Sequence, residues 1–166
     1  MAFIDICMLR AGPQDLPASR FLFVLMLVIY IAISLVLSLI ELEMPIAAVY
    51  TGLDVVLVLA LAAGMFWVSD KWNRFNQTAT ALLGIGTIFN AAAAPLLLWQ
   101  QAVADGENPM PLPSFMLLAL MIWNLVVIGH VIRHALSTTM FWGIAIAMIY
   151  TFVSMSIFRV MFNAPT

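Results

Sequence analysis

The stretch FLFVLMLVIYIAISLVLSLI, residues 21–40, carries no charged side chain, and its polar members are Tyr30, Ser34 and Ser38. A helix rises about 1.5 Å per residue, so a run of this length reaches about 30 Å, the hydrocarbon thickness of a bilayer. Arg20 bounds it on one side and Glu41-Leu-Glu-Met-Pro45 on the other. Working outward, four further apolar runs follow: Ile46 to Ser69, Thr78 to Trp99, Ser114 to Ile132 and Met140 to Phe162. Strands that left their backbone groups unpaired would not survive in lipid, and a barrel would alternate over shorter segments. The runs therefore predict an all-α integral membrane bundle of five transmembrane helices. It forms one domain over residues 1–166, with residues 1–20 as a short cytoplasmic amino-terminal segment.

Composition fits. Hydrophobic residues make up 65% of the chain and charged residues 8%, leaving too little polar surface for a soluble domain. The net charge of −2 does not point to nucleic acid. Cys7 has no second cysteine to pair with and reads as a small apolar residue. Met1 to Arg10 contains Asp5 and lacks a basic cluster, and Glu41, Glu43 and Pro45 follow the first long run where a cleavage site would stand. The first span is expected to be retained, not removed as a signal peptide.

The breaks have chemistry of their own. Pro45 suits the first turn of a helix, where its missing N–H costs little. Asp70 to Gln77 is polar, and Gln100 to Pro113, with Gly106, Pro109, Pro111 and Pro113, reads as an ordered non-helical loop. Arg133 to Thr139 reads as a short basic turn, with Ser137, Thr138 or Thr139 capping the next helix. Arg10, Arg20, Lys71, Arg74 and Arg133 fall on one side of the five runs. Arg159 falls on the other with Glu41, Glu43, Asp105 and Glu107. Because Lys and Arg mark the cytoplasmic side, the amino terminus is expected inside and the carboxyl terminus outside, in a cell inner membrane. Trp67, Trp72 and Trp142 near one interface and Trp99 near the other suit aromatic belts.

Asp54 is the one acidic residue within a run, about 12 Å from the outer end by helical rise, and Asn90 and Asn124 lie about 15 Å from the same face. Polar groups at this depth are expected to turn inward and meet as an intramembrane layer. Ala79, Leu83, Gly86, Asn90 and Ala94 share a helical face, as do Tyr50, Asp54, Leu57, Leu61 and Gly64. The small residues of the first set permit close helix approach. Tyr30, Ser34 and Ser38 line one face of the first run, and Tyr150, Thr151 and Ser154 share a sector of the fifth. Arg159 is the candidate ion-pair partner of Asp54, or it snorkels to the headgroups. Two readings stand side by side: a proton, ion or small-ligand site, and hydrogen bonds that fix the register of the bundle. A single carboxylate favours the second.

His130 and His134 stand four apart, a spacing that places both imidazoles on one helix face. With no glutamate of a zinc-protease signature and no other histidine, the pair reads instead as part of a basic cytoplasmic interface. That interface comprises Lys71, Arg74, His130, Arg133 and His134; no metal and no cofactor is expected. Gly84-Ile-Gly86 is no nucleotide loop, since no strand precedes it and the third glycine is missing. The alanines Ala91 to Ala94 predict a close-packing segment and Pro95 a kink. No nucleophile–base arrangement or carboxylate pair is present for catalysis.

The five-span arrangement resembles the Yip family of membrane proteins, including small bacterial inner-membrane members. So do the segments Gly12-Pro-Gln-Asp-Leu-Pro-Ala-Ser19, Arg74-Phe-Asn-Gln-Thr-Ala-Thr-Ala-Leu-Leu-Gly84 and Trp123-Asn124 through Arg133. Eukaryotic members bind small GTPases through a long cytoplasmic region; Met1 to Arg20 is too short for that role to carry over. The expected function is that of a non-enzymatic membrane protein assembling with or assisting other membrane components. Its contacts are expected within the bilayer, with lipid and other membrane proteins, because charged loops are scarce. The alternative is a small transporter or channel subunit using Asp54, Asn90 and Asn124.

Overall fold

A computed structural model describes residues 2–69, 74–104 and 111–162. Six helices occupy these residues, and no strand occurs among them. A short helix, α1 (Ala2–Cys7), and a single 3-10 turn (Pro13–Asp15) precede five long helices. These are α2 (Arg20–Ser38), α3 (Met44–Ser69), α4 (Phe75–Ala104), α5 (Leu112–Leu136) and α6 (Met140–Phe162). All five are long and apolar enough to cross a membrane. Their outer faces carry large apolar side chains with no cover: Phe21 is 76% exposed and Phe152 73%. An apolar exterior on this scale suits hydrocarbon, not water.

The helix ends follow local chemistry. Ser19 caps α2, its hydroxyl accepting the Leu22 N–H at 3.3 Å. Helix α4 runs past Trp99 through Gln100–Ala104, which the polarity of the segment had suggested was loop. Polarity ends a membrane span but not a helix, and Gln-Gln-Ala-Val-Ala contains no breaker. Gln101 reaches back to the Ile40 carbonyl at 3.1 Å. Gly106 and Pro109 lie outside the described residues, as do Lys71, Trp72, Asp105 and Glu107. Helix α5 continues a turn beyond Ile132, so Arg133 to Leu136 are helical and not part of a turn. Ser137 then ends it in the left-handed conformation at φ 57°, and of the three expected cap residues Thr139 directly precedes α6, its carbonyl accepting the Gly143 N–H at 3.1 Å. Pro95 sits inside an α4 assigned as one continuous helix, while Ala91 and Ala92 are exposed instead of packed.

Side-chain pairs set the register. Phe23 meets Phe75 at a ring separation of 6.4 Å, Asn90 bonds Ser34, and Gln101 bonds Ile40. Helices α2 and α4 therefore run parallel, with α3 antiparallel to both. Helices α5 and α6 cross at Gly129 and Gly143, where a Cβ on Gly143 would strike the Gly129 carbonyl oxygen. Small residues at such a crossing let two backbones approach closely.

Residues 2–19 fold across the end of the bundle that carries Arg20, Arg74 and Arg133, hereafter the basic end. Ile6 is fully buried and Leu16 nearly so. The Phe3 ring lies against Gly84, and Gln77 donates its side-chain N–H to the Leu16 carbonyl at 2.7 Å. His130 Nε2 lies 2.9 Å from the Ala11 carbonyl oxygen, which can only accept, so Nε2 carries the proton. The short amino-terminal segment is thus a seated plug.

Candidate functional site

Tyr30, on the inward face of α2, donates its hydroxyl to Asp54 Oδ2 of α3 at 2.5 Å. One turn further along α2, Ser34 accepts from the Asn90 side chain of α4 at 2.8 Å. Helix α5 contributes Asn124, and α6 contributes Tyr150, Thr151 and Ser154. These side chains line one chamber of about 350 Å³, to which all five long helices contribute. The depth arithmetic thus brings Asp54, Asn90 and Asn124 to a common space, but they do not bond one another. Asp54 pairs with Tyr30 and Asn90 with Ser34, so α2 supplies the partners. The spacing of Tyr30, Ser34 and Ser38 on one helical face carries that signal, but not which polar group each one meets.

Two polar atoms of the chamber are buried with no hydrogen-bond partner among the described residues, Thr51 Oγ1 of α3 and Asn124 Oδ1 of α5, while Ser154 of α6 interacts with Tyr150. Thr51 is itself 3% exposed. By contrast Thr151 satisfies its hydroxyl locally, donating to the Ala147 carbonyl at 2.9 Å. Unpaired polar atoms on two helices line this space, and each carries a desolvation cost until something pairs with it.

The chamber is closed toward the basic end. Its floor is apolar, formed by Val58, Leu61, Leu82, Ile85 and Ile128. Leu83, Val127 and Val131 are fully buried in the core to which that floor belongs. Toward the opposite end it adjoins a vestibule of about 490 Å³, and Leu37, Ser38, Tyr50, Met155 and Phe158 line both spaces. Glu41 and Arg159 line only the vestibule. Arg159 therefore stands with Glu41 in the outer space and not beside Asp54. Of these shared residues, Tyr50 and Phe158 stack their rings with centroids 4.1 Å apart.

The expected basic interface is divided by the plug. His130 is 4% exposed beneath Ala11, with its ring 4.6 Å from that of His134. Arg74 is exposed, and Arg133 and His134 are half-buried at the surface. A tail long enough to fold back over the helix ends took His130 out of reach of headgroups, which the four-residue spacing alone could not reveal. Among the described residues no three of His, Cys, Asp and Glu come together as a metal site.

The chamber offers one carboxyl group, two carboxamides and several hydroxyls at helix-buried depth, an inventory suited to hydrogen-bonding a small polar guest. Compared with protein-family models, with curated proteins and with solved structures, the chain matches none of them.

Proposed function

We propose that this protein is a multi-pass membrane protein that holds a small polar solute in the five-helix chamber and exchanges it through the Glu41–Arg159 vestibule, as a small transporter or channel subunit. One observation carries this reading: Thr51 and Asn124 present unpartnered buried polar atoms in the chamber that holds the Tyr30–Asp54 pair. Leaving a buried polar group unpaired costs about 1–3 kcal/mol. A network that only fixed helix register would pair its members. A bound solute or a file of waters supplies the missing partners. The charge distribution supports an inner-membrane orientation with residues 1–20 in the cytoplasm and the vestibule facing outward.

The test is solute flux in proteoliposomes, followed by light scattering for glycerol, urea and acetate and by an entrapped pH dye for protons. Wild-type protein is expected to accelerate at least one of these over empty vesicles. Asp54→Asn and Asn124→Leu should each suppress that flux while the helical content and melting temperature persist. Flux equal to that of empty vesicles for the whole panel would sink the proposal.

A second reading, Yip-like assembly with other membrane components, has one observation on its side. A surface groove of about 220 Å³ between α2 and α3 exposes Ala48 and Gly52, four residues apart, with open space beyond Gly52. Small residues at this spacing favour lateral helix contact in a bilayer. Gly52→Leu should then release a stoichiometric membrane partner that co-purifies with the wild type; a lone wild-type monomer in mild detergent speaks against it.

A further inference from the structure

We infer that the crevice at the basic end, lined by Gln14, Arg74, Arg133, His134, Ser137 and Thr138, is a binding site for a phosphate group, with an anionic phospholipid headgroup as the favoured source. The crevice measures about 460 Å³ and lies at the opposite end of the bundle from the vestibule. Three separate parts of the chain converge on it: the 3-10 turn of the plug, the start of α4, and the α5–α6 connection.

Two guanidinium groups face the same small space. Among the described residues neither is paired with a carboxylate, and Arg133 Nη2 lies 3.3 Å from His134 Nε2. Two cations facing one space repel, and a phosphate accepts from both in the fork geometry that arginine favours. The acid that faces His134 is Asp15, and its carboxylate already accepts the Gly12 N–H at 2.7 Å. The left-handed turn at Ser137 and the bond from Thr138 N–H to the Arg133 carbonyl at 2.9 Å fold two hydroxyl residues against the arginines. The Thr138 hydroxyl beside the guanidinium groups adds a donor for phosphate oxygens.

An independent observation points to lipid as the source. Exposed aromatic rings stand at the same end: Trp67 is 80% exposed, Phe141 72% and Trp142 59%. Aromatic rings with no protein cover settle at headgroup level in a bilayer, which places the crevice at the depth of lipid phosphates.

The experiment uses the full chain purified in a zwitterionic detergent, with melting temperature and native mass spectrometry as readouts. In one arm phosphatidylglycerol is titrated in, with phosphatidylcholine as the neutral comparison; in the other, inorganic phosphate is titrated alone. Wild-type protein is expected to retain phosphatidylglycerol selectively. Arg74→Gln, at an exposed position, should weaken retention about fivefold, and Arg74→Gln with Arg133→Gln on the order of thirtyfold. Arg20→Gln, at the same end but outside the crevice, should leave retention unchanged. Inorganic phosphate binding with the same dependence on Arg74 supports the site and assigns it to a free anion. Equal retention by wild type and Arg74→Gln, or equal loss in Arg20→Gln, overturns it.

Discussion

Tyr50 of α3 and Phe158 of α6 stack face to face, with centroids 4.1 Å apart and planes inclined by 21°, and both rings line the chamber as well as the vestibule. An aromatic pair shared by two adjoining spaces is the expected partition between them. Removing one ring merges chamber and vestibule without touching the polar atoms behind. Phe158→Ala is therefore expected to raise the flux of any solute the chamber conducts, several-fold over wild type. Phe158 is half-buried, so the stability cost should fall below the roughly 3–5 kcal/mol of a fully buried phenylalanine. Flux in proteoliposomes and thermal unfolding in detergent check the two halves; unchanged or reduced flux would show that the stack is not a barrier.

Tyr30 and Asp54 tie α2 to α3 through one hydrogen bond inside the bundle. Interhelical hydrogen bonds of this kind couple by about 0.6 kcal/mol on average and up to about 1.7. A double-mutant cycle with Tyr30→Phe and Asp54→Asn should return a coupling in this range, read from denaturant unfolding in micelles. If the two substitutions add without coupling, the bond contributes nothing to holding the helices. The solute reading makes a separate demand: Asp54→Asn must lose flux even where stability is retained.

The sequence displays the fold at the level of its solvent. Apolar runs long enough to cross hydrocarbon specify five helices, because in lipid helix formation and apolarity are coupled. The same coupling misplaces ends. Gln100 to Ala104 and Arg133 to Leu136 are helical although polar or charged, since a helix can continue beyond the lipid that required it. Depth counting brought Asp54, Asn90 and Asn124 into one chamber because helical rise is nearly constant. Bonding partners were not legible, because rotation of a helix about its axis is set by packing, and rotation decides that Tyr30 and not Arg159 meets Asp54. The plug was legible least. Six residues of α1 are too few to show periodicity, and its seat depends on Gly84, whose missing side chain makes room for Phe3.

Glycines divide into two groups with opposite expected responses. At Gly143 an added methyl would strike the backbone carbonyl of Gly129, which has no rotamer to yield. Gly143→Ala should therefore destabilise by about 1–3 kcal/mol, the range for overpacking a tight contact. At Gly64 a Cβ meets nothing within 4 Å. There Gly64→Ala should be neutral or stabilise by up to about 1 kcal/mol through helix propensity alone. Thermal unfolding of the two variants side by side measures the contrast, and a similar loss in both would remove the α5–α6 crossing as its cause.

Cys7 reports on the plug. It is 9% exposed, and burial pushes its thiol above the ordinary value, so the reactive thiolate is suppressed twice over. The sign follows: burial disfavours the charged form, so the unfolded chain loses the proton first as pH rises. The stability tied to this group is complete below the unfolded pKa and is lost above it. Maleimide should therefore label Cys7 slowly in the native protein at neutral pH and rapidly in denaturing detergent. Raising the pH by one unit, still below the ordinary thiol pKa, should speed the denatured reaction about tenfold while native labelling stays slow. Gly84→Ala would press a methyl into the Phe3 ring, a side chain that can move, and so loosen α1 from α4. This variant should label faster than wild type with little change in melting temperature. Equal labelling rates would mean that the segment stays seated without the Phe3 contact, and that the tethers from Gln77 to Leu16 and from His130 to Ala11 suffice to hold it.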